Sequence, residues 1–209
     1  TVRPAMGQSS GGTAIAVVGH SFPRHHSLAC VFADTQSQWR VSVPAVWRSA
    51  ERVECFTPPA PDHIVKHLGA GSEGYVDLML EREGVVVGGH ARFLYSSPMT
   101  IHDVVPRVLP EEGGRIALHG THFPEHTTIL CAVGDAAPVT ARFLSPDTIE
   151  CDAEPHSPHS PGLLVSVSIN GFHDRVFAIE DSTTPIRVEI VPHLSLSSAT
   201  PATSSTLGG

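Results

Sequence analysis

The stretch "GHSFPRHHSLAC" at residues 19–30 nearly recurs as "GTHFPEHTTILC" at residues 120–131. Set in a wider frame, 11–30 against 112–131 agree at Gly12/Gly113, Ile15/Ile116, Ala16/Ala117, Gly19/Gly120, Phe22/Phe123, Pro23/Pro124, His25/His126 and Cys30/Cys131. Downstream, "RVECFTPP" (52–59) faces "TIECDAEP" (148–155), and "GYVDLMLEREG" faces "GLLVSVSING". The closing "HARFLY" faces "DRVFAI". A period of about a hundred residues indicates two copies of a whole domain, not a solenoid of short repeats.

Within each copy the pattern is that of strands. "TAIAVVG" and "RIALHG" alternate apolar and other side chains and end on glycine. The apolar runs are short and bounded by Gly, Pro, Ser and Asp, and no window sustains a helical period. The 18 Gly and 18 Pro favour many turns between short elements. Phe-Pro follows the first full strand, where Phe plugs the end of a sandwich and Pro stays out of a central ladder. Asn170-Gly171 is a hairpin signal in the second copy. Short strands about ten residues apart predict a Greek-key sandwich of about 100 residues per copy.

These residues resemble the IPT/TIG domain family. The resemblance rests on proline, Gly-Gly, an alternating strand, Gly, Phe and Cys, then apolar-x-Cys and a hairpin. The first copy carries it through Pro4, Gly12, Gly19, Phe22, Cys30, Cys55, Pro58, Phe93 and Tyr95; the second through Pro106, Gly114, Gly120, Phe123, Cys131, Cys151, Gly171 and Phe177. Departures are "CDAEP", where a Thr-Pro is usual, and an insertion at 60–74. The resemblance implies an all-β chain of two tandem immunoglobulin-like Greek-key β-sandwiches. The expected domains are 1–97 and 98–182. Residues 183–209 are expected to hold either the lead-in strand of a further repeat, from the "IVP" at 190–192, or a Ser/Thr/Pro-rich linker.

Four cysteines fall two per copy at equivalent places, which predicts Cys30–Cys55 and Cys131–Cys151. Closing such loops contributes roughly 3–3.5 kcal/mol each in the loop-entropy model. Oxidised pairs imply an oxidising, extracellular compartment; the alternative is four buried thiols acting as small hydrophobes. Gly19, Phe22, Gly120 and Phe123 are the expected structural positions. The first-copy insertion, with His63, Lys66 and Glu73, is the candidate contact loop, because loops at sandwich ends commonly carry binding. Its cationic character rests on Lys66 alone: residue 67 is a histidine, His67, and not a second lysine, so it is no part of the candidate set.

Several function classes are disfavoured. Net charge is −8 and Lys66 is the only lysine, so no dense cationic patch recommends nucleic acid or an anionic membrane surface. No apolar run approaches the 18 or so residues of a membrane helix. The start, "TVRPAMGQ", is polar and lacks an initiator Met, which reads as a fragment of a longer or processed chain. "GAGSEG" (69–74) fits Gly-x-Gly-x-x-Gly but precedes a hairpin strand rather than a helix, so no cofactor is expected. The 14 histidines show no ligand spacing, so no metal is expected; protonating all of them would carry the charge from −8 to +6. No catalytic motif appears. The expected function is a non-enzymatic cell-surface or secreted module for adhesion, protein contact or spacing. Its partners are another protein or neighbouring domains of its own chain. The alternatives are an intracellular transcription-factor-type IPT region, or spacer domains of a polysaccharide-active enzyme.

Overall fold

The computed structural model describes residues 1–24, 28–35, 37–64, 74–157, 162–181 and 183–193. The first sandwich is built from β1 (Val2–Arg3), β2 (Met6–Gln8), β3 (Ala14–Val18), β4 (Leu28–Ala33), β5 (Arg40–Pro44), β6 (Val46–Ser49), β7 (Arg52–Phe56), β8 (Gly74–Arg82) and β9 (Val85–Ser96). Its sheets run β1-β3-β7-β6 and β2-β9-β8-β4-β5. The second is built from β10 (Thr100–Val105), β11 (Val108–Pro110), β12 (Gly114–Thr121), β13 (Leu130–Val133), β14 (Val139–Thr140), β15 (Arg142–Ser145), β16 (Thr148–Ala153), β17 (Leu163–Ser168), β18 (Val176–Phe177) and β19 (Arg187–Val191). Its sheets run β10-β12-β16-β15 and β11-β19-β17-β13-β14, with β18 also on β17.

The two units match element by element, down to irregularities. In each, the first strand pairs antiparallel in one sheet, passes a cis X-Pro bond (Arg3–Pro4, Val105–Pro106), and resumes parallel to the last strand of the other sheet. Each has a register shift opposite the second cysteine strand, at Trp47/Ser49 and at Phe143/Ser145. Each holds the residue before the Phe in the left-handed region, Ser21 at φ 59° and His122 at φ 59°.

Alternation fills two separate cores. Val76, Leu78 and Leu80 of β8 face Ile15, Val17 and Val53 of the opposite sheet, with Phe32, Phe93 and Tyr95 at the centre. Phe93 meets Phe32 and Tyr95 edge-on, at 6.1 and 5.2 Å between centroids. The second core gathers Ile116, Leu118, Ile149, Val165, Val167, Val188 and Ile190. Trp39 and Trp47 lie half-buried against the first core, and the Trp47 indole N–H donates to the Phe22 carbonyl at 3.1 Å.

The disulfides bridge the sheets. Cys30 of β4 is bonded to Cys55 of β7, and Cys131 of β13 to Cys151 of β16, with Cα atoms 6.4 and 6.3 Å apart. There are no free cysteines.

One sequence expectation needs correction. The 98–182 boundary cuts the second sandwich short, and "IVP" at 190–192 does not begin a further repeat. Arg187–Val191 pairs parallel with β11 and antiparallel with β17, and Ile186, Val188 and Ile190 are buried in the second core. The counterpart of "RFLYS" (92–96) is therefore "RVEIV" (187–191), not the segment containing "RVFAI". The misreading has a physical cause. The single long strand β9 is replaced in the second unit by two pieces, β18 and β19, separated by 178–186, so the last strand falls later than the repeat suggests. Residues 194–209 lie outside the described residues, as does most of "GAGSEG".

The Gly and Phe of the opening motif meet in both units. A Cβ on Gly19 would stand 2.7 Å from the Phe22 ring tip. One on Gly120 would stand 2.7 Å from the Phe123 ring and 1.9 Å from the Thr100 carbonyl oxygen. The ring can give way; the backbone oxygen of β10 cannot without opening the β10–β12 ladder. Gly120→Ala is therefore expected to cost about 1–3 kcal/mol, and clearly more than Gly19→Ala, in urea denaturation.

Tyr95 is wholly buried and donates to the Pro58 carbonyl at 2.6 Å. Burial pushes its hydroxyl far above the ordinary tyrosine range. The neutral ring then contributes stability that is complete below the unfolded-state value near 10 and is lost as pH rises above it. Denaturation between about pH 9 and 11 is expected to show stability falling more steeply in the wild type than in Tyr95→Phe.

Candidate functional site: the joint between the sandwiches

Of the candidate contact loop, only the start is described. Ala60 and Ile64 are buried in the first core, and His63 lies against Asp34, with Nε2 2.6 Å from Oδ2. Lys66 and Glu73 lie outside the described residues, as does residue 67, which is His67 and supplies no lysine to this loop.

The polar cluster that ties distant parts of the chain together lies elsewhere, in the turn after β17. Ser168 is the last residue of β17, and its hydroxyl accepts from the N–H groups of Asn170 (3.2 Å) and Phe172 (3.0 Å). It donates to Asn170 Oδ1 at 2.9 Å, and the Asp174 N–H donates to the same oxygen at 3.0 Å. Gly171 and Phe172 turn the chain in the left-handed region, φ 71° and 66°. The Asn-Gly pair read from sequence as a hairpin signal is this turn.

The turn reaches across to the first sandwich. Asn170 Nδ2 donates to the Met6 carbonyl of β2 at 3.2 Å and to Asp174 Oδ2 at 2.9 Å. Asp174 Oδ2 also accepts from the Thr13 hydroxyl at 2.6 Å, a charge-assisted bond from a residue 1% exposed. Thr13 is fixed in turn, its N–H donating to Thr57 Oγ1 at 3.0 Å. Gly7 allows this approach, since a Cβ there would lie 2.2 Å from Thr13 Oγ1. Asn170 itself is 8% exposed. Its oxygen and both amide protons are engaged, so neither end of the amide can be reversed or charged without losing bonds.

Apolar contacts reinforce the polar ones. β9 ends at Ser96 and β10 begins at Thr100, so three residues separate the units. Among them Met99 is buried in the second core, and Met6 of β2 packs on that core from the first unit. Two open clefts flank the contact. One, about 500 Å³, is lined by Pro4, Tyr75, Arg92 and Asn170; the other, about 560 Å³, by Gln8, Met99, Thr100 and Arg175. The contact is therefore narrow, and its geometry depends on few bonds.

Sequence reasoning did not single out Met6 or Asp174, and it read Thr13 only as part of the first copy's strand motif, not as a contact between the units. The available signal was Asn170, the sole asparagine of the chain, set in a turn where many residues would serve.

The architecture is that of tandem immunoglobulin-like sandwiches. Residues 99–184 match the IPT/TIG domain family, and the first sandwich repeats the topology of the second. Over 200 residues, 92% of the chain, it is 26% identical to Plexin-B3 of Mus musculus, and over 202 residues 25% identical to Plexin-B3 of Homo sapiens. The chain spans about 9% of the length of these relatives. A structure of the plexin A4 full extracellular region aligns over 91% of the chain and 16% of its own, at 15% identity and TM-score 0.47.

Asn170→Asp would set a carboxylate beside Asp174 and remove the donor to Met6. It is expected to cost about 1–3 kcal/mol and to let the two units reorient independently. Residual dipolar couplings fitted with one alignment tensor in the wild type should then require two. Asn170→Gln, which keeps the amide on a longer arm, should fall between.

Proposed function

We propose that this chain is a non-enzymatic, extracellular double module that holds flanking domains of a larger cell-surface or secreted protein at a fixed angle. The observation that carries this reading is the joint. A three-residue link, Met99 seated in the second core and the Asn170–Met6 and Asp174–Thr13 bonds leave the two sandwiches little freedom to pivot. The inter-sheet disulfides support the extracellular placement, because such pairs persist in oxidising compartments. The sequence likeness to Plexin-B3 supports a receptor-type setting. Contact with a protein partner is assigned to the 60–74 loop. It has no counterpart in the second unit, and Ala60 and Ile64 root its start in the core.

Small-angle scattering combined with single-molecule FRET between dyes on the outer ends of the two sandwiches tests the rigid angle. One narrow distance distribution, unchanged between low and high salt, is expected. A broad or salt-dependent distribution removes the reading. Alkylation of unreduced, denatured protein is expected to add no mass; any labelled thiol removes the compartment assignment.

A further inference from the structure

The one asparagine of the chain sits at the joint and is followed by glycine. An Asn-Gly step is chemically reactive, because the glycine nitrogen can attack the side-chain amide carbon with no side chain of its own in the way. Around Asn170 the structure assembles the parts of that reaction and also restrains it.

The nucleophile is open. The Gly171 N–H donates to no acceptor among the described residues, although Asn170 and Phe172 on either side both donate to Ser168 Oγ. Gly171 is exposed and borders the cleft of about 500 Å³, and a Cβ there would meet nothing nearer than His173 Cδ2 at 4.0 Å. The electrophile is polarised. Asn170 Oδ1 accepts from the Ser168 hydroxyl and the Asp174 N–H, at 2.9 and 3.0 Å. Both donors are aimed at the oxygen where charge gathers when Cγ is attacked.

The restraint comes from the neighbouring sandwich. Ring closure requires the amide to swing until Cγ meets the Gly171 nitrogen. Its Nδ2 is tethered to the Met6 carbonyl of the first unit and to Asp174 Oδ2, and Asp174 is anchored by the Thr13 hydroxyl of that unit. With the units docked, the swing breaks these bonds. With the units parted, the Met6 tether is gone and Asp174 has lost its anchor, so local opening of the joint sets the rate.

We propose that Asn170 is a site of spontaneous deamidation gated by the joint, and that its conversion releases the angle between the sandwiches irreversibly. The Gly171 nitrogen bonds to Asn170 Cγ and closes a succinimide. The Cγ–Nδ2 bond breaks, and the amide nitrogen leaves as ammonia with the Gly171 proton. Water then opens the ring at either carbonyl, leaving aspartate or isoaspartate and one released proton. In the aspartate product, a carboxylate oxygen stands where Nδ2 was, facing Asp174 Oδ2 and the Met6 carbonyl, acceptor against acceptor and charge against charge. Isoaspartate adds a methylene to the backbone of the turn besides. Neither product can restore the two donated bonds, so a joint that opens often enough is left open. The proposal rests on the fixed-angle reading above.

Wild-type protein is incubated at neutral pH beside Thr13→Val, which removes the anchor without touching the turn. Beside it is a form with two glycines inserted after Ser97, which loosens the link and leaves both cores whole. Thr13→Ser keeps the hydroxyl and should match wild type. The same chain unfolded in urea sets the unrestrained rate. Peptide mapping reads aspartate and isoaspartate at 170 alone, since the chain has no other asparagine. Folded wild type should convert at least about tenfold more slowly than the unfolded chain. Each loosened form should convert at least about threefold faster than folded wild type. Converted protein carries one more negative charge and separates on anion exchange. Single-molecule FRET between the outer ends should give a narrow distribution in the fresh fraction and a broad one in the converted fraction. Equal rates in folded and unfolded wild type, or loosened forms no faster than wild type, overturn the gating. A converted fraction as narrow as the fresh one overturns the release and leaves the fixed angle standing. A fresh fraction already broad overturns the fixed angle, and this proposal with it.

Discussion

A bond between sheets fixes the spacing on which everything else in each sandwich depends. Cys30–Cys55 and Cys131–Cys151 each join the fourth-strand position of one sheet to the cysteine strand of the other, among fully buried side chains. Once that separation is set, alternating residues must interdigitate at one depth. Phe32, Phe93 and Tyr95 fill it in the first unit, whereas Val188 and Ile190 take the places of Phe93 and Tyr95 in the second. The same cross-link thus supports an aromatic core in one unit and an aliphatic one in the other.

Fixed spacing also decides what happens at the ends of the sandwiches. The Phe of the repeated motif closes one end over a glycine, and the chain before it is held by backbone bonds, Gly19 N–H to the Glu51 carbonyl and Gly120 N–H to the Asp147 carbonyl. At the other end of the first unit, Gly7, Thr13 and Thr57 form a small polar floor. That floor receives Asp174 from its neighbour. The joint is an extension of each unit's internal order, which is why a few bonds suffice to orient two bodies.

Most of the fold was legible because it is written twice. Strand alternation, the Gly–Phe closure and the cysteine positions recur in one order, 101 residues apart through Cys30/Cys131 and 96 at Cys55/Cys151, and each recurrence constrains the other. The end of the second unit was not legible, because the break between β18 and β19 moved the last strand past the place the first copy indicated. The joint was hidden for a different reason. Contacts between copies are asymmetric, so Met6, Thr13, Asn170 and Asp174 have no repeated signature. A threonine next to Gly-Gly or an aspartate after a turn is ordinary in any strand-rich chain. The exposed valines of 85–87 read as a strand in sequence, and only the sheet order shows that one side of it is open.

The burial of Met99 has a bearing on how such modules can be exchanged. It lies in the three-residue stretch between the last strand of one unit and the first strand of the next, and its side chain is part of the second unit's interior. A cassette that begins at the first strand of that unit would arrive with a hole in its core. One that begins just after Ser96 carries its own filling, so recombination between repeats of this kind preserves foldability only when the breakpoint falls on the upstream side of the connector.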